Sequence, residues 1–195
     1  SISPWIIKAT LAAEDSSFYQ HGGIRLLSIA RAFVENLSNR GVKQGGSTIT
    51  QQLARNLFLS QERTFERKAK EAILTVRMEQ LFTKDRIMEM YLNTIYFGHG
   101  AWGVDTAART YFGKPASEIT LPEAAIIAGL VAAPGRYSPL SNFKNSKIRQ
   151  KFVLERLHTL GWINEKERDE AYAAELEFKH VPNKVQEFNR APYFV

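Results

Sequence analysis

Carboxylates and cations stand in two groups along this chain, and the spacing within each could do chemistry. The first is Glu14-Asp15, followed by Phe18, His21 and Gly23, so that the run reads E-D-x-x-F-x-x-H-x-G. The second is Arg67, Lys68 and Glu71, with Arg55 and Asn56 a little before them. A carboxylate can take the proton of an attacking hydroxyl, and fixed cations can stabilise an anionic group as it departs. Together they suit transfer of a group from a phosphorylated donor. Each group also has a plainer reading, a solvated helix end for Glu14-Asp15 and a surface i,i+4 pair for Arg67 and Glu71.

The elements that must position these residues read as helices. Ser3 offers a capping hydroxyl and Pro4 a preset φ, and Ile6, Ala9 and Ala13 then recur at helical spacing. Glu14 and Asp15 therefore fall at a helix C-terminus, where the macrodipole disfavours negative charge unless a cation or a function holds it. Leu26, Ala30, Phe33 and Leu37 mark a second helix, and the glycine-rich stretch 38–46 reads as a mobile loop. Ser47 and Thr48 can cap a third, with Ile49, Leu53 and Leu57 on one face and Thr50, Gln51, Gln52, Arg55 and Asn56 on the rest. That polar face could grip a sugar or a phosphate, or be merely solvated. From Thr64 a long helix carries Phe65, Ala69, Ala72 and Val76 on one side. Arg67, Lys68 and Glu71 share an arc of about 100° on another.

Composition narrows the field. A chain of 195 residues suits one domain and buries roughly 70% of its unfolded surface. There is no cysteine, and no H-E-x-x-H spacing that would hold a metal. Lys and Arg number 26 against 20 Asp and Glu, a net charge of +6 that favours an anionic partner. The charge is spread along the chain, and no helix carries an uninterrupted basic stripe, so a nucleic-acid-binding module is the weakest reading and no nucleic acid is expected. The longest apolar run, Ala124 to Ala133, is too short to span a bilayer.

Later segments continue the helical pattern. Ile87, Met88, Tyr91 and Leu92 set one buried face after Thr83; Val104, Ala107, Ala108 and Tyr111 set another before Gly113. Thr120 and Glu123 form a capping box before an all-apolar run expected to be the core helix. Asn145 is expected to cap a helix with Ile148, Phe152, Leu157 and Leu160 on its inner face, and Asn164 with Glu167 to cap the next. Ser141 to Lys144 imitates the S-x-x-K of transpeptidases, but no K-T-G or S-x-N partner accompanies it. No β alternation appears, so the expected fold class is all-α.

Five blocks in series carry a resemblance. After the Glu14 motif come G-G-S-T-I-T-Q-Q-L-A-R-N (Gly45 to Asn56), R-K-x-x-E (Arg67 to Glu71), the run from Lys84 to Gly103, and Pro134, Arg136, Tyr137 and Pro139. The series resembles the family 51 glycosyltransferases, the peptidoglycan polymerases of bacterial cell walls. Arg55 stands where relatives more often have Lys, and Met88 where they have Leu.

The resemblance implies a lysozyme-like helical domain with a mobile loop and a small apolar jaw. It implies Glu14 as the base that deprotonates the 4-hydroxyl of an acceptor sugar on lipid II, with inversion at the donor. Arg55, Arg67, Lys68 and Arg136 would bind phosphate, and Glu71 would hold those cations or share a divalent ion, Mg or Mn, with the diphosphate; no obligatory cofactor is implied. Asp15, Phe18, His21, Ser47, Thr48, Gln51, Gln52 and Asn56 would line the substrate site, and Glu89, Tyr91 and Asn93 would be scaffold. Leu57, Phe58 and Leu59, three apolar residues that one helix face cannot bury, would dip into the membrane surface; an ordinary core is the alternative.

Expected partners are lipid II, the nascent lipid-linked glycan and pyrophosphate-mimicking glycolipid inhibitors. The expected place is the outer face of the cytoplasmic membrane in a bacterial envelope, reached by an N-terminal anchor preceding Ser1. Residues 1–188 are expected to form the transferase domain and 189–195 the start of a linker to a further, transpeptidase domain. The rival enzyme reading is a muramidase or lytic transglycosylase, which also presents a helix-end Glu. Its leaving group is a neutral sugar, however, and needs no cationic face.

Overall fold

In a computed structural model of the chain, the described residues are 1–24, 46–59 and 64–179, apart from the side chain of Phe65. The helix expected over Leu26 to Leu37, the stretch 38–45 and the proposed boundary at residue 188 lie outside them. The described residues hold helices and turns, with one isolated bridge between Tyr96 and Trp102 and no strand, as the all-α expectation requires. None of their helices is long and apolar enough to cross a membrane.

Helix α1 spans Pro4–Glu14, capped by Ser3 and started by a proline. A 3-10 turn at Phe18–Gln20 leads away from it. Helix α2, Ile49–Phe58, begins with a complete capping box between Thr48 and Gln51. The long α3, Phe65–Leu81, and α4, Lys84–Thr94, both start at a threonine whose hydroxyl accepts an N–H of the first turn. Then come α5, Val104–Phe112, and α6, Leu121–Leu130, which is buried throughout its last seven residues. The short α7, Pro134–Tyr137, the long α8, Phe143–Thr159, and α9, Glu165–Ala173, complete the order.

Apolar α6 is the hub, packing against both α1 and α8, which also touch each other. A second bundle joins it, in which α2 lies against α3 and α4. Glu14 ends the helix of the first bundle that points toward α2 of the second.

Two expected helix faces are corrected. In α3 the buried positions are Glu71, Thr75 and Met78, whereas Val76 is exposed and Ala69 faces solvent. The helix turns this side toward α2, whose Thr50 hydroxyl donates to Glu79, while Glu71 and Thr75 are served from within α3 by Lys68 and by the Glu71 carbonyl, so periodicity of apolar residues pointed the wrong way. In α8 the cap is Asn142, whose side chain accepts from Asn145 N–H, and the inner face is Ser146, Gln150, Val153, Leu154 and Leu157. Ile148 and Phe152 are exposed. Gln150 can be buried because its amide donates to the Pro122 carbonyl at 2.9 Å, a bond no hydropathy pattern reveals.

This register has a direct consequence for stability. Truncating buried Leu157 to Ala should cost about 2–5 kcal/mol, while Ile148→Ala should change stability by no more than about 0.5 kcal/mol. Equilibrium denaturation of the two variants checks it; equal losses would restore the face expected from sequence.

Candidate functional site

The last turn of α1 contains no basic residue, so its acidic end must be stabilised from elsewhere in the chain. Asp15 is almost fully buried. His21 Nδ1 accepts the Gly23 N–H at 3.0 Å, which leaves Nε2 to donate to the Asp15 carboxylate, 2.9 and 3.0 Å from its two oxygens. The Ile49 N–H at the start of α2 donates to Asp15 at 3.2 Å, adding a helix N-terminus to the acid's partners.

Phe18 is buried under this turn, edge-on to His21. Gly23 closes it with φ +84°, and a Cβ there would lie 2.6 Å from Glu79 Cγ and 2.8 Å from Thr75 Cγ2. The Thr48 hydroxyl donates to the Gly23 carbonyl. The E-D-x-x-F-x-x-H-x-G motif is thus a clasp: Asp15, His21 and Gly23 tie the end of α1 to α2 and α3, and Glu14 is held beside them.

Glu14 has its own two partners. Gln52 Nε2 donates to its Oε2 at 3.0 Å, and Arg149 Nη2 lies 3.8 Å from Oε1. Only 12% of its side chain is exposed. Burial raises its pKa above the ordinary 4.5, and the Gln52 hydrogen bond and the Arg149 charge pull it back; Asp15 then raises it and Arg55 lowers it. The side of α2 that sequence left open between a gripping and a solvated face is largely buried at Thr50, Gln51 and Gln52. Gln51 is spent on the capping box and Thr50 on Glu79, so Gln52 and half-buried Arg55 are the residues of that face that act on Glu14. Tyr91, expected as scaffold, also belongs here, because its hydroxyl donates to Gln52 Oε1 at 2.9 Å.

Arg149 is the residue that sequence reasoning missed. Its guanidinium packs 4.3 Å from the Phe152 ring and 5.6 Å from that of Tyr137. Gly129, in the last turn of the apolar α6, makes room for it, since a Cβ there would lie 2.9 Å from Arg149 Cγ. In K-I-R-Q-K the arginine looks like one more surface cation; the lone glycine in an otherwise apolar helix was the available signal.

The second group is separate. Glu71 is fully buried and paired with Lys68, not with Arg67 as the i,i+4 reading had it. Its second carboxylate oxygen and the Arg67 Nε are buried without hydrogen-bond partners. Leaving such atoms unpaired costs roughly 1–3 kcal/mol each. Among the described interactions only Arg55 links this group to Glu14, and α2, which carries Gln52 and Arg55, packs against α3, which carries Glu71. Asn56 and Arg136 are exposed, and Arg136 lies 5.5 Å from the Tyr137 ring. Ser47 contributes its carbonyl, 3.4 Å from Gln52 Nε2.

Among the described residues no three His, Cys, Asp or Glu side chains gather as metal ligands. A cavity of about 620 Å³ beside Phe143, Lys147 and residues 174–177 lies apart from both groups.

The raised pKa of Glu14 has a thermodynamic sign. A folded state that holds the proton more tightly than the unfolded chain loses stability as pH rises from the ordinary value of 4.5 through the folded pKa. Glu14→Gln removes this dependence, so the stability of the variant relative to wild type should grow between pH 4 and pH 7. Denaturation series across that range check it, and a difference independent of pH would contradict the burial of a titrating Glu14.

Comparison with known proteins gives the family. The Transglycosylase family matches residues 1–158. Penicillin-binding protein 2D of Bacillus subtilis (strain 168) is 44% identical over 99% of this chain and 28% of its own length. Penicillin-binding protein 1A of Escherichia coli (strain K12) is 48% identical over 87% of this chain and 20% of its own. A crystal structure of penicillin-binding protein 1A from Haemophilus influenzae is 33% identical, covering 73% of this chain and 18% of that one, with a TM-score of 0.49. The chain spans about a quarter of the length of the first curated relatives it matches. Matched over most of its length, the chain belongs to the Transglycosylase family.

Proposed function

We propose that this chain is a peptidoglycan glycosyltransferase that polymerises lipid II into β-1,4-linked glycan, with Glu14 as general base. The observation that carries the reading is a buried carboxylate held by Gln52 and Arg149, its pKa raised by burial toward the range where a base works best. The acceptor's 4-hydroxyl oxygen attacks the donor's anomeric carbon. As that bond forms, the carbon–oxygen bond to the lipid diphosphate breaks and the diphosphate leaves with its electron pair. The hydroxyl proton passes to Glu14, and the anomeric centre inverts.

Arg55, Arg67 and Lys68 would stabilise the departing diphosphate, each charge-assisted hydrogen bond contributing about 1.5–3 kcal/mol. Buried Glu71 fits a role in holding Lys68 in place. Its unpaired oxygen also fits contact with an Mg or Mn ion, which would neutralise charge on the diphosphate; with no further acidic ligands gathered there among the described residues, the substrate would supply most of the ligands. The same cations suit pyrophosphate-mimicking glycolipid inhibitors. Arg136, exposed beside Tyr137, would contact phosphate only on a substrate reaching past the Glu14 pocket. The muramidase reading lacks a use for the Arg67–Lys68 face.

We place the activity at the outer face of the cytoplasmic membrane. Leu57 and Phe58 at the end of α2 are exposed, Leu59 is half-buried, and packed α3 exposes Ile73 and Val76. An apolar surface of this kind suits a lipid-linked substrate. Replacing Leu57 and Phe58 with Ser should release the chain from anionic liposomes without loss of stability; a variant that stays bound, or unfolds, overturns the membrane assignment.

Glu14→Gln keeps the shape and one acceptor oxygen but cannot take the proton, so turnover should fall by about 10²–10⁴ with substrate binding nearly intact. Glu71→Gln should weaken both donor binding and rate. Rates at saturating lipid II separate the two, because only a binding defect recovers with concentration. Near wild-type polymerisation by Glu14→Gln removes the base from the mechanism.

A further inference from the structure

The side chain of Gln52 can face Glu14 in either of two ways, with an N–H or with its carbonyl oxygen. Only the first supports a charged carboxylate, since Glu14 without its proton accepts hydrogen bonds and donates none. In the structure Nε2 is turned to Glu14 Oε2 at 3.0 Å, and it also lies 3.4 Å from the Ser47 carbonyl, the weaker contact. The opposite end of the amide, Oε1, accepts from the Tyr91 hydroxyl at 2.9 Å. Tyr91 and Gln52 are both buried, so water does not substitute for either bond.

We propose that Tyr91 is a positioning residue for Glu14: its hydroxyl fixes the Gln52 amide with the N–H toward the carboxylate, and thereby keeps that carboxylate ready to accept a proton. The inference rests on the reading of Glu14 as a base only for its effect on rate; the arrangement itself is independent of any substrate.

The direction of the chain is set by proton inventory. Burial holds the Tyr91 phenol well above its ordinary range, so the hydroxyl keeps its proton and donates. Without it, Oε1 of Gln52 is left buried with no partner while Glu14 is charged. Protonation of Glu14 relieves this, because the acid can then donate to a turned Oε1. Loss of the tyrosine hydroxyl therefore favours the protonated, inactive form of Glu14. The charged groups facing Glu14 from the described elements are Asp15 beside it, Arg55 from α2 and Arg149 from α8, while the apolar α6 brings none. Replacing the neutral Tyr91 with Phe removes no charge from among them.

The test is the titration of Glu14 itself, read by carboxyl carbon NMR on the whole chain, with Glu14→Gln to assign the signal. In Tyr91→Phe, which removes one oxygen and keeps the buried ring, the midpoint should rise by about one unit, a tenfold change in proton affinity. Gln52→Leu cuts the same chain without altering the core tyrosine and should raise it at least as far. The double variant should add nothing to Gln52→Leu, since residues acting through one path are not additive.

With lipid II as substrate, the acid limb of kcat/KM in Tyr91→Phe should move up with the midpoint, and KM at high pH should stay at the wild-type value. An unmoved midpoint in folded Tyr91→Phe overturns the proposal, and so does an unmoved midpoint in Gln52→Leu should the first variant fail to fold. A shifted midpoint in a chain that makes no glycan sustains the positioning role and sinks the transferase reading alone.

Discussion

A carboxylate placed at the carbonyl end of a helix, and then buried, is the constraint on which this structure turns. Neither the local dipole nor the local sequence stabilises Glu14, because the last turn of α1 holds no cation. Its partners come from α2, through Gln52, and from α8, through Arg149. Three segments far apart in sequence must therefore meet within a few ångströms. The rest of the packing can be followed outward from that meeting. Gly129 thins α6 so that Arg149 can pass, and the Asp15–His21–Gly23 clasp anchors the end of α1 to the start of α2.

Under the proposed function, the same constraint gives up stability where the base is needed. Glu14 is held short of full neutralisation: Arg149 stands 3.8 Å away, outside direct hydrogen bonding, and Gln52 offers a neutral donor in place of a second cation. A closer guanidinium would stabilise the charged form more and make a poorer base. Glu71 carries the complementary cost, an oxygen buried without a partner on a helix whose polar side faces inward. Unsatisfied atoms of this kind call for an explanation such as a bound ion, and under the proposed function a cation accompanying the diphosphate would be the partner of Glu71.

Legibility in the sequence followed how local each cause was. Caps were readable because the bond is made within one turn: Ser3, Thr48, Thr120 and Asn164 all start helices as their neighbours suggested. The all-apolar α6 was readable as core for the same reason. Glu14, Asp15, His21 and Gly23 were readable as a unit only through their motif, and the partition of labour, with His21 serving Asp15 and Gln52 serving Glu14, was not. Faces failed where a polar residue was buried on a long-range bond. Gln150 of α8 reaches the Pro122 carbonyl, and Glu79 of α3 accepts from Thr50, so helices that periodicity would roll one way are rolled another. Arg149 was invisible because its significance depends on Gly129, twenty residues earlier and on a different helix.

The central claim is that this pocket builds glycan. The most direct measurement is to give the chain lipid-linked disaccharide pentapeptide and follow the size and linkage of the product together with release of the lipid diphosphate. The account predicts β-1,4-linked strands of many disaccharides, with one diphosphate freed for each bond formed. Substrate recovered unchanged, or preformed glycan made shorter with no diphosphate released, would contradict it.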